Sequence, residues 1–259
     1  EVVRYGTPAI RTADSAGTII MEGLPINALY GWKTNGFFQN YDEIQNAALP
    51  TGIDRSQLRP GDVRYVDLNS DGKIDENDRT YLGYAFPRYT YGFTYNVKWK
   101  GIDFSIMLQG VLKRENPVRG ELVQPFHADY SMTMFDHQLD YWSPQNRDAR
   151  WPRLGVSGSV SDTNNWGHTG SDMMLLEGAY MRIKNIQLGY TLPKKWTKKF
   201  GCEALRIYFD TQNPLTWTKN GFVDPETTSF GNNMSGGADN SVRNYPTLRY
   251  FGGGIDLTF

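Results

Sequence analysis

The sequence is poor in the residues that most often carry catalytic or metal chemistry. Cysteine occurs once, at Cys202, which excludes an intrachain disulfide and a cysteine metal cluster. The three histidines, His127, His137 and His168, are scattered along the 259 residues. The formal net charge is −1, so no overall field favours nucleic acid or an anionic surface as a partner. No apolar run approaches the ~18 residues that a membrane helix needs.

Aromatic residues and glycine, by contrast, are abundant. The chain has 16 Tyr, 13 Phe, 7 Trp and 27 Gly, whereas long stretches of helix-forming residues are scarce. This composition is typical of an all-β protein with many turns. It also allows a membrane β-barrel, because alternating strands keep the average hydropathy low. No secretory signal heads the chain, so we expect it to be an internal piece of a longer protein.

The clearest strand covers residues 88–100, RYTYGFTYNVKWK. Its alternation has a period of two over about thirteen residues, which is long for a soluble strand. After Gly101 the alternation restarts, which predicts a hairpin with a very short turn. The apolar positions of the two strands are Tyr89, Tyr91, Phe93, Tyr95, Val97 and Trp99, then Ile102, Phe104, Ile106 and Leu108.

Four further segments are predicted to be strands. Residues 179–192 change parity near Lys184 and Asn185, which indicates a β-bulge. A fourth strand contains Leu205 and Phe209, and a final strand covers residues 246–259. Residues 26–38 form a less clearly patterned strand, and residues 128–142 have weak helical spacing.

Long and short connections alternate strictly along the chain. Residues 39–86, 113–178 and 213–245 are long connections, whereas residues 100–101 and 193–201 are short. In an antiparallel meander, this order places every long connection at the same end. Outer-membrane barrels have short periplasmic turns and long extracellular loops, so the pattern favours a transmembrane β-barrel over a soluble β protein.

One twelve-residue segment, residues 67–78, has the spacing of an EF-hand-type calcium loop. Gly72 at position six permits the sharp turn, position seven contributes only a backbone carbonyl, and Asp78 replaces the usual glutamate at position twelve. The simpler alternative is a solvated acidic turn, since Asp, Asn and Gly are ordinary turn residues. We predict a structural Ca²⁺ site with the ligands Asp67, Asn69, Asp71, Lys73, Asp75 and Asp78.

Several sequence blocks occur together in a fixed order. They are residues 23–39 (GLPINALYGWKTNGFFQ), 60–80 (PGDVRYVDLNSDGKIDENDRT), 86–93 (FPRYTYGF), 140–146 (DYWSPQN), 180–193 (YMRIKNIQLGYTLP), 212–217 (QNPLTW), 224–226 (DPE) and the terminal IDLTF. Over nearly the whole chain, this ordered set resembles the C-terminal part of the SusC/RagA-type TonB-dependent transporters of Bacteroidetes outer membranes.

The resemblance implies an all-β fold in which residues 1–259 form the C-terminal part of a larger, 22-stranded barrel domain with long extracellular loops. The plug domain is absent from the sequence. The six or seven predicted strands are too few to close such a barrel, so we expect a fragment or one piece of a split transporter, completed by the remainder of the same barrel. Phe259 matches the terminal aromatic residue that the barrel-assembly machinery recognises in such proteins.

The implied function is active import of glycans or peptides across the outer membrane of a Gram-negative, Bacteroidetes-like cell, without catalysis. TonB, acting through the missing plug, supplies the energy, and a SusD-like surface lipoprotein covers the extracellular mouth. An oligosaccharide or a peptide is the expected substrate, the residues that bind it stay unknown, and no nucleic acid is expected. The lumen-facing wall is predicted to include Asp103, Ser105 and Gln109.

Two interpretations from other classes compete with transport. A secreted, calcium-stabilised carbohydrate-binding β module would explain the aspartate loop and the aromatic residues, but not the sorting of the loops. An enzyme could use Asp75 with Glu76, or Asp224 with Glu226, although nothing in the sequence places either pair across a cleft. Loop aromatic residues could stack on sugars or contact the lid, although packing within the loops is the simpler role for Tyr130, Trp142, Trp151, Trp166 and Trp217.

Overall fold

The structure is a computed structural model of the 259-residue chain. It describes residues 9–11, 18–26, 28–118, 120–126, 133–167, 170–226 and 246–259. His127, His168 and Tyr130, which the sequence singles out, lie outside the described residues.

Within the described ranges, strands predominate and helices are short. The strands are β1 (Ala9–Arg11), β2 (Thr18–Ile20), β3 (Ala28–Trp32), β4 (Thr34–Phe37), β5 (Leu49–Pro50), β6 (Val63–Tyr65), β7 (Lys73–Ile74), β8 (Arg79–Gly83), β9 (Tyr89–Trp99), β10 (Ile102–Leu112), β11 (Glu115–Pro117), β12 (Leu175–Glu177), β13 (Tyr180–Thr191), β14 (Ala204–Gln212), β15 (Thr216–Thr218) and β16 (Tyr250–Thr258). The α-helices are α1 (Tyr41–Asn46), α2 (Val160–Trp166) and α3 (Lys194–Thr197), with 3₁₀ turns at Arg55–Gln57, Glu76–Asp78, Gly120–Leu122, Asp136–Gln138, Asp172–Met174 and Lys198–Phe200.

The chain divides into two compact units. The first, which we call the loop unit, comprises Glu1–Phe86, Glu115–Leu176 and Thr228–Tyr245. The second, the sheet unit, comprises Pro87–Arg114, Glu177–Thr227 and Pro246–Phe259.

The sheet unit is an antiparallel sheet with the order β16-β14-β13-β10-β9, and β15 pairs with the start of β13. The first hairpin joins Trp99 of β9 to Ile102 of β10 through a two-residue turn. Both turn residues have a positive φ, +48° at Lys100 and +90° at Gly101, as the twist of a tight hairpin requires. The predicted hairpin is therefore confirmed.

The predicted bulge in the third long strand is also present. Met107 pairs with Asn185 and Leu108 pairs with Ile183, so Lys184 is an extra residue on β13. The shift keeps Met181 and Ile183 on the same face as Ile186, although the parity of the sequence changes between them.

The pairing register sorts the sheet into an apolar and a polar face. Cross-strand partners on the apolar face include Phe93 with Leu108, and Leu188 with Phe209. The opposite face pairs Lys98 with Asp103, and Gln187 with Asp210. The apolar side chains are largely exposed, with 56% of Phe93 accessible, and no second sheet covers them in the described residues.

The connections are sorted between the two ends of the sheet, as predicted. Tyr89, Leu112, Tyr180, Gln212 and Tyr250 lie at the end from which the long connections leave. The other end has the turn at residues 100–101 and the connector at residues 193–203, which contains α3. Antiparallel β topology with alternating faces is thus the observed fold of the sheet unit.

The loop unit is built from short strands around a small core. It has a four-stranded sheet, β1-β2-β3-β8, and two-stranded sheets β4-β6 and β5-β7, the last of which is parallel. Phe38, Ile44 and Leu58 form a buried cluster against which Leu49 and Val160 pack. Asp62 is fully buried and accepts hydrogen bonds from Arg153, Ser161 and Asn165, which ties α2 to the start of β6.

Two predictions of local structure are wrong here. Residues 26–38 do not form one strand of the long meander, because the chain breaks at Lys33 into β3 and β4, which pair with β8 and β6 in the loop unit. The described part of the predicted helix 128–142 has a single 3₁₀ turn at Asp136–Gln138, stabilised by the side chain of Gln138, which accepts a bond from the Phe135 amide.

Within the described residues, no helix is long and apolar enough to cross a membrane.

Candidate functional site

The acidic loop at residues 67–78 is held in shape by bonds between its side chains and its own backbone. Asp67 accepts bonds from the amides of Ser70 (2.7 Å) and Gly72 (2.8 Å). Asn69 accepts from the Asp71 amide (3.0 Å), and Asp71 from the Lys73 amide (3.0 Å). Positive φ angles of 61° at Ser70 and 85° at Gly72 turn the backbone around these side chains.

The end of the loop is fixed by Asp78, whose side chain is fully buried. Its two oxygens accept bonds from the amides of Leu68 and Asp75, each at 2.8 Å, so Asp78 closes the loop on its own beginning. Asp75 in turn accepts from the Asn77 amide (2.8 Å) and caps the 3₁₀ turn. The sequence spacing therefore produces a folded loop, in which each aspartate side chain has a backbone donor.

These residues fit a hard cation in type but do not gather around one point. Each carboxylate oxygen has two lone pairs, and an amide bond uses one of them, which leaves acceptor capacity for a cation. In the part of the chain that the structure describes, no three His, Cys, Asp or Glu side chains are grouped closely enough to hold a metal ion. Calcium binding would therefore require the side chains of Asp67, Asp71 and Asp75 to turn toward a common centre.

The polar face of the sheet carries a network of charged side chains across three strands. Arg206 on β14 donates to Asp103 on β10 through Nε (3.0 Å) and Nη2 (2.6 Å), and to Asp256 on β16 through Nη1 (2.9 Å). Its Nη2 atom also lies 3.3 Å from Oε1 of Gln187 on β13. The sequence predicted Asp103 on this face, and the register places Ser105 and Gln109 on it as well.

A second network lies on the polar face at the long-connection end, where a loop returns to β13. The Arg182 side chain is only 4% exposed and donates to Asp224 (2.6 Å), to Glu226 and to the Thr216 hydroxyl (2.7 Å). Lys184 donates to the same Glu226 carboxylate at 2.9 Å. We call Arg182, Lys184, Asp224 and Glu226 the ion network; it fixes residues 216–226 against the wall.

Asp224 is held in its charged form within this network. Burial alone would raise its pKa, but hydrogen bonds from the Glu226 amide, Arg182 and the Thr247 amide lower the pKa below its ordinary value. The sequence pointed to Asp224 and Glu226 only as a possible catalytic pair. In the structure both carboxylates are neutralised by Arg182 and Lys184, an arrangement that fixes a loop. Asp75, from the other pair, is a helix cap.

Most of the described loop tryptophans pack within the protein. Trp142, Trp151 and Trp166 are buried in the loop unit. The Trp151 indole donates to the His137 carbonyl (2.9 Å), and its ring lies 6.2 Å from the His137 ring. These three residues are structural, whereas Trp217 on β15 is about half exposed.

The exposure of the apolar face distinguishes the membrane-barrel interpretation from the soluble β-module interpretation. In a soluble module, a face with Tyr89, Phe93, Leu188 and Phe209 would be covered by a second layer. These side chains stay exposed in the described structure. Long strands with one apolar and one polar face, two-residue turns at one end and long loops at the other define a segment of a transmembrane β-barrel wall.

Comparison with known sequences shows which proteins the chain is similar to. The chain is 27% identical over 247 residues to TonB-dependent receptor P3 of Formosa agariphila, covering 93% of this chain and 23% of that receptor. It is 27% identical over 233 residues to TonB-dependent receptor SusC of Bacteroides thetaiotaomicron, covering 88% of this chain and 20% of SusC. No family model matches the chain.

Solved structures agree on the fold. The RagAB peptide transporter superimposes with a TM-score of 0.62 at 21% identity, covering 97% of this chain and 25% of that chain. The RagAB peptide importer in its closed-closed state gives 0.62 at 22% identity. The resemblance to SusC/RagA-type TonB-dependent receptors is thus confirmed. The chain spans about a quarter of the length of the relatives that it matches.

Proposed function

We propose that this chain forms part of the wall and extracellular loops of an outer-membrane importer of the SusC type. The observation that carries the proposal is the sheet with one lipid-compatible face, one charged face and all long connections at one end. The similarity to receptors named TonB-dependent supports it. In this function the protein carries out no catalysis, and TonB acts through a plug domain.

The proposed substrate is a glycan or a peptide, delivered with a SusD-like surface lipoprotein. A relative named SusC and a fold shared with a peptide importer support this range of substrates. The polar face lines the lumen, where Asp103, Arg206 and the ion network offer both signs of charge. The exposed apolar face argues against the secreted carbohydrate-binding module.

Growth of the source bacterium tests the import function directly. Deletion of the gene is expected to abolish growth on one oligosaccharide or peptide mixture as the sole carbon source, and a plasmid copy is expected to restore it. Growth on the corresponding monosaccharides or amino acids serves as the control, since these need no such importer. Unchanged growth of the deletion strain on every oligomeric substrate would argue against the proposal.

We also propose that the loop at residues 67–78 binds Ca²⁺ as a structural ion. Its supports are the spacing of the oxygen donors, the backbone already turned around them, and the unused lone pairs of Asp67 and Asp71. At a free calcium concentration about 100 times Kd, binding would stabilise the folded loop by about 2.7 kcal/mol.

Titration calorimetry after chelation checks the calcium site. The unaltered protein is expected to release heat on addition of Ca²⁺, and Asp71→Ala is expected to lose that heat because a ligand at position five is removed. Glu76→Gln is the matched control, since it removes one negative charge from the same loop at a position that provides no ligand. Equal heats from the unaltered protein and Asp71→Ala would show that the loop is an ordinary acidic turn.

A further inference from the structure

Lysine is concentrated at the short-turn end of the sheet unit, away from the ion network. Six of the eleven lysines of the sequence are at the end of β9, in the turn between β9 and β10 or in the connector after β13. Lys98 lies on the polar face opposite Asp103. The other five, which are exposed, are Lys100, Lys194, Lys195, Lys198 and Lys199. We call these five lysines, together with Trp99 and Trp196, the basic rim.

Local structure keeps the charge of the basic rim uncompensated and exposed. The connector forms α3 and a 3₁₀ turn, and it is anchored by Thr197, which is buried and lies within 3.4 Å of the carbonyls of Lys194 and Glu203. Thr197 is buried, whereas the four lysine side chains of the connector are exposed. The carboxylates of Asp103 and Asp256 at this end are already bonded to Arg206.

Two tryptophans accompany the lysines. Trp99 is 64% exposed and ends the apolar face of β9, and Trp196 is 54% exposed within the connector. The Lys100 ammonium lies 4.9 Å from the centroid of the Trp99 ring. Tryptophan and lysine together are typical of the level of lipid headgroups, because the indole ring is amphipathic and the ammonium binds phosphate.

We propose that the basic rim binds anionic phospholipid headgroups in the leaflet at the short-turn end of the strands. In outer-membrane barrels that end faces the periplasm. Trp99 and Trp196 lie at the boundary with the acyl chains, and the lysines bind phosphate groups. The apolar end of β9 favours lipid over a soluble anion, since a free phosphate has no part that could contact Trp99. The inference rests on the proposed placement in the outer membrane, but not on what is imported.

Lipid competition measures this preference. The complete transporter that contains this chain, purified in detergent, receives equal amounts of phosphatidylglycerol and phosphatidylcholine with identical acyl chains, and native mass spectrometry counts the bound lipids. The unaltered protein is expected to prefer phosphatidylglycerol. Each lysine near an anionic surface contributes about fivefold, so the triple variant Lys195→Gln, Lys198→Gln, Lys199→Gln is expected to lose about tenfold or more of the preference. Trp196→Ala is expected to weaken binding of both lipids equally.

The matched control is the triple variant Lys33→Gln, Lys113→Gln, Lys219→Gln, which removes three exposed lysines from other places and is expected to keep the preference. An unchanged preference in the first triple variant would overturn the proposal. So would displacement of phosphatidylglycerol by inorganic phosphate at the same concentration, since this would indicate a site for a free anion.

Two further outcomes separate this proposal from the proposed function. A folded barrel migrates differently on SDS gels before and after heating. If the complete transporter that contains this chain shows no such shift and enters no lipid vesicle, the placement in the outer membrane fails. If it inserts and shifts normally but binds both lipids equally, only the inference about the basic rim fails.

Discussion

Phe93→Arg is expected to lower the free energy of unfolding in lipid by about 2–4 kcal/mol, the usual cost of arginine at the middle of a barrel's lipid-facing surface. Phe93 is near the centre of β9, on the face shared with Leu108 and Leu188. It is more than half exposed in the isolated sheet, so the cost would come from contact with lipid. Urea unfolding of the complete transporter that contains this chain, in phosphatidylcholine vesicles and followed by tryptophan fluorescence, measures this change.

Thr94→Arg is the control for this experiment, because it introduces the same charge at the same depth on the opposite face. Thr94 lies opposite Met107 on the polar side, where water and charged groups are available. Its effect is expected to be within about 1 kcal/mol. A similar loss from both substitutions would mean that the faces do not meet different solvents, and the barrel interpretation would be wrong.

Arg182→Ala is expected to release the loop at residues 216–226 from the sheet. The substitution removes the guanidinium that bonds to both Asp224 and Glu226, and the Asp224 carboxylate is almost fully buried. Removing one partner of a buried pair costs about 3–5 kcal/mol. Since 1.4 kcal/mol is tenfold, amide hydrogen exchange in residues 216–226 is expected to accelerate about a hundredfold or more, as mass spectrometry of the corresponding peptides would detect.

Two further variants show whether charge in the ion network is the cause. Lys219→Ala breaks an exposed ion pair with Glu177 and is expected to leave exchange nearly unchanged. Arg182→Met combined with Asp224→Asn and Glu226→Gln removes the uncompensated carboxylates and is expected to recover much of the protection. If Arg182→Ala exchanges like the unaltered protein, the ion network does not fix this loop.

The sheet unit could be predicted from the sequence because its two faces meet different surroundings. That difference imposes strict alternation on β9 and β10, so even the single extra residue at Lys184 was visible as a change of parity. The loop unit lacks such a signal. Its strands have two to five residues, and pairs such as β5 with β7 join distant segments. Residues 26–38 were therefore predicted as one strand, whereas tertiary contacts divide them between β3 and β4.

The candidate sites likewise differ in how far they could be predicted from the sequence. The acidic loop was visible because all of its oxygen donors lie within twelve residues, although spacing alone did not reveal that each aspartate side chain bonds to the backbone. The ion network was missed, since Arg182 lies 42 residues from Asp224. Its only sequence signal is an arginine and a lysine on the polar parity of β13 together with a distant Asp-Pro-Glu. Burial of Trp142, Trp151 and Trp166 likewise depends on the folded loops.

The bulge at Lys184 has a consequence for how sequences of this type can change. A chain one residue shorter at this point would exchange the two faces of the first four residues of β13, and Arg182 would then meet lipid while Ile183 met water. In evolutionary terms, the number of residues in this strand is constrained as strongly as their identity. Insertions and deletions are expected to accumulate in the long connections, because a connection of any length can join the same two strands.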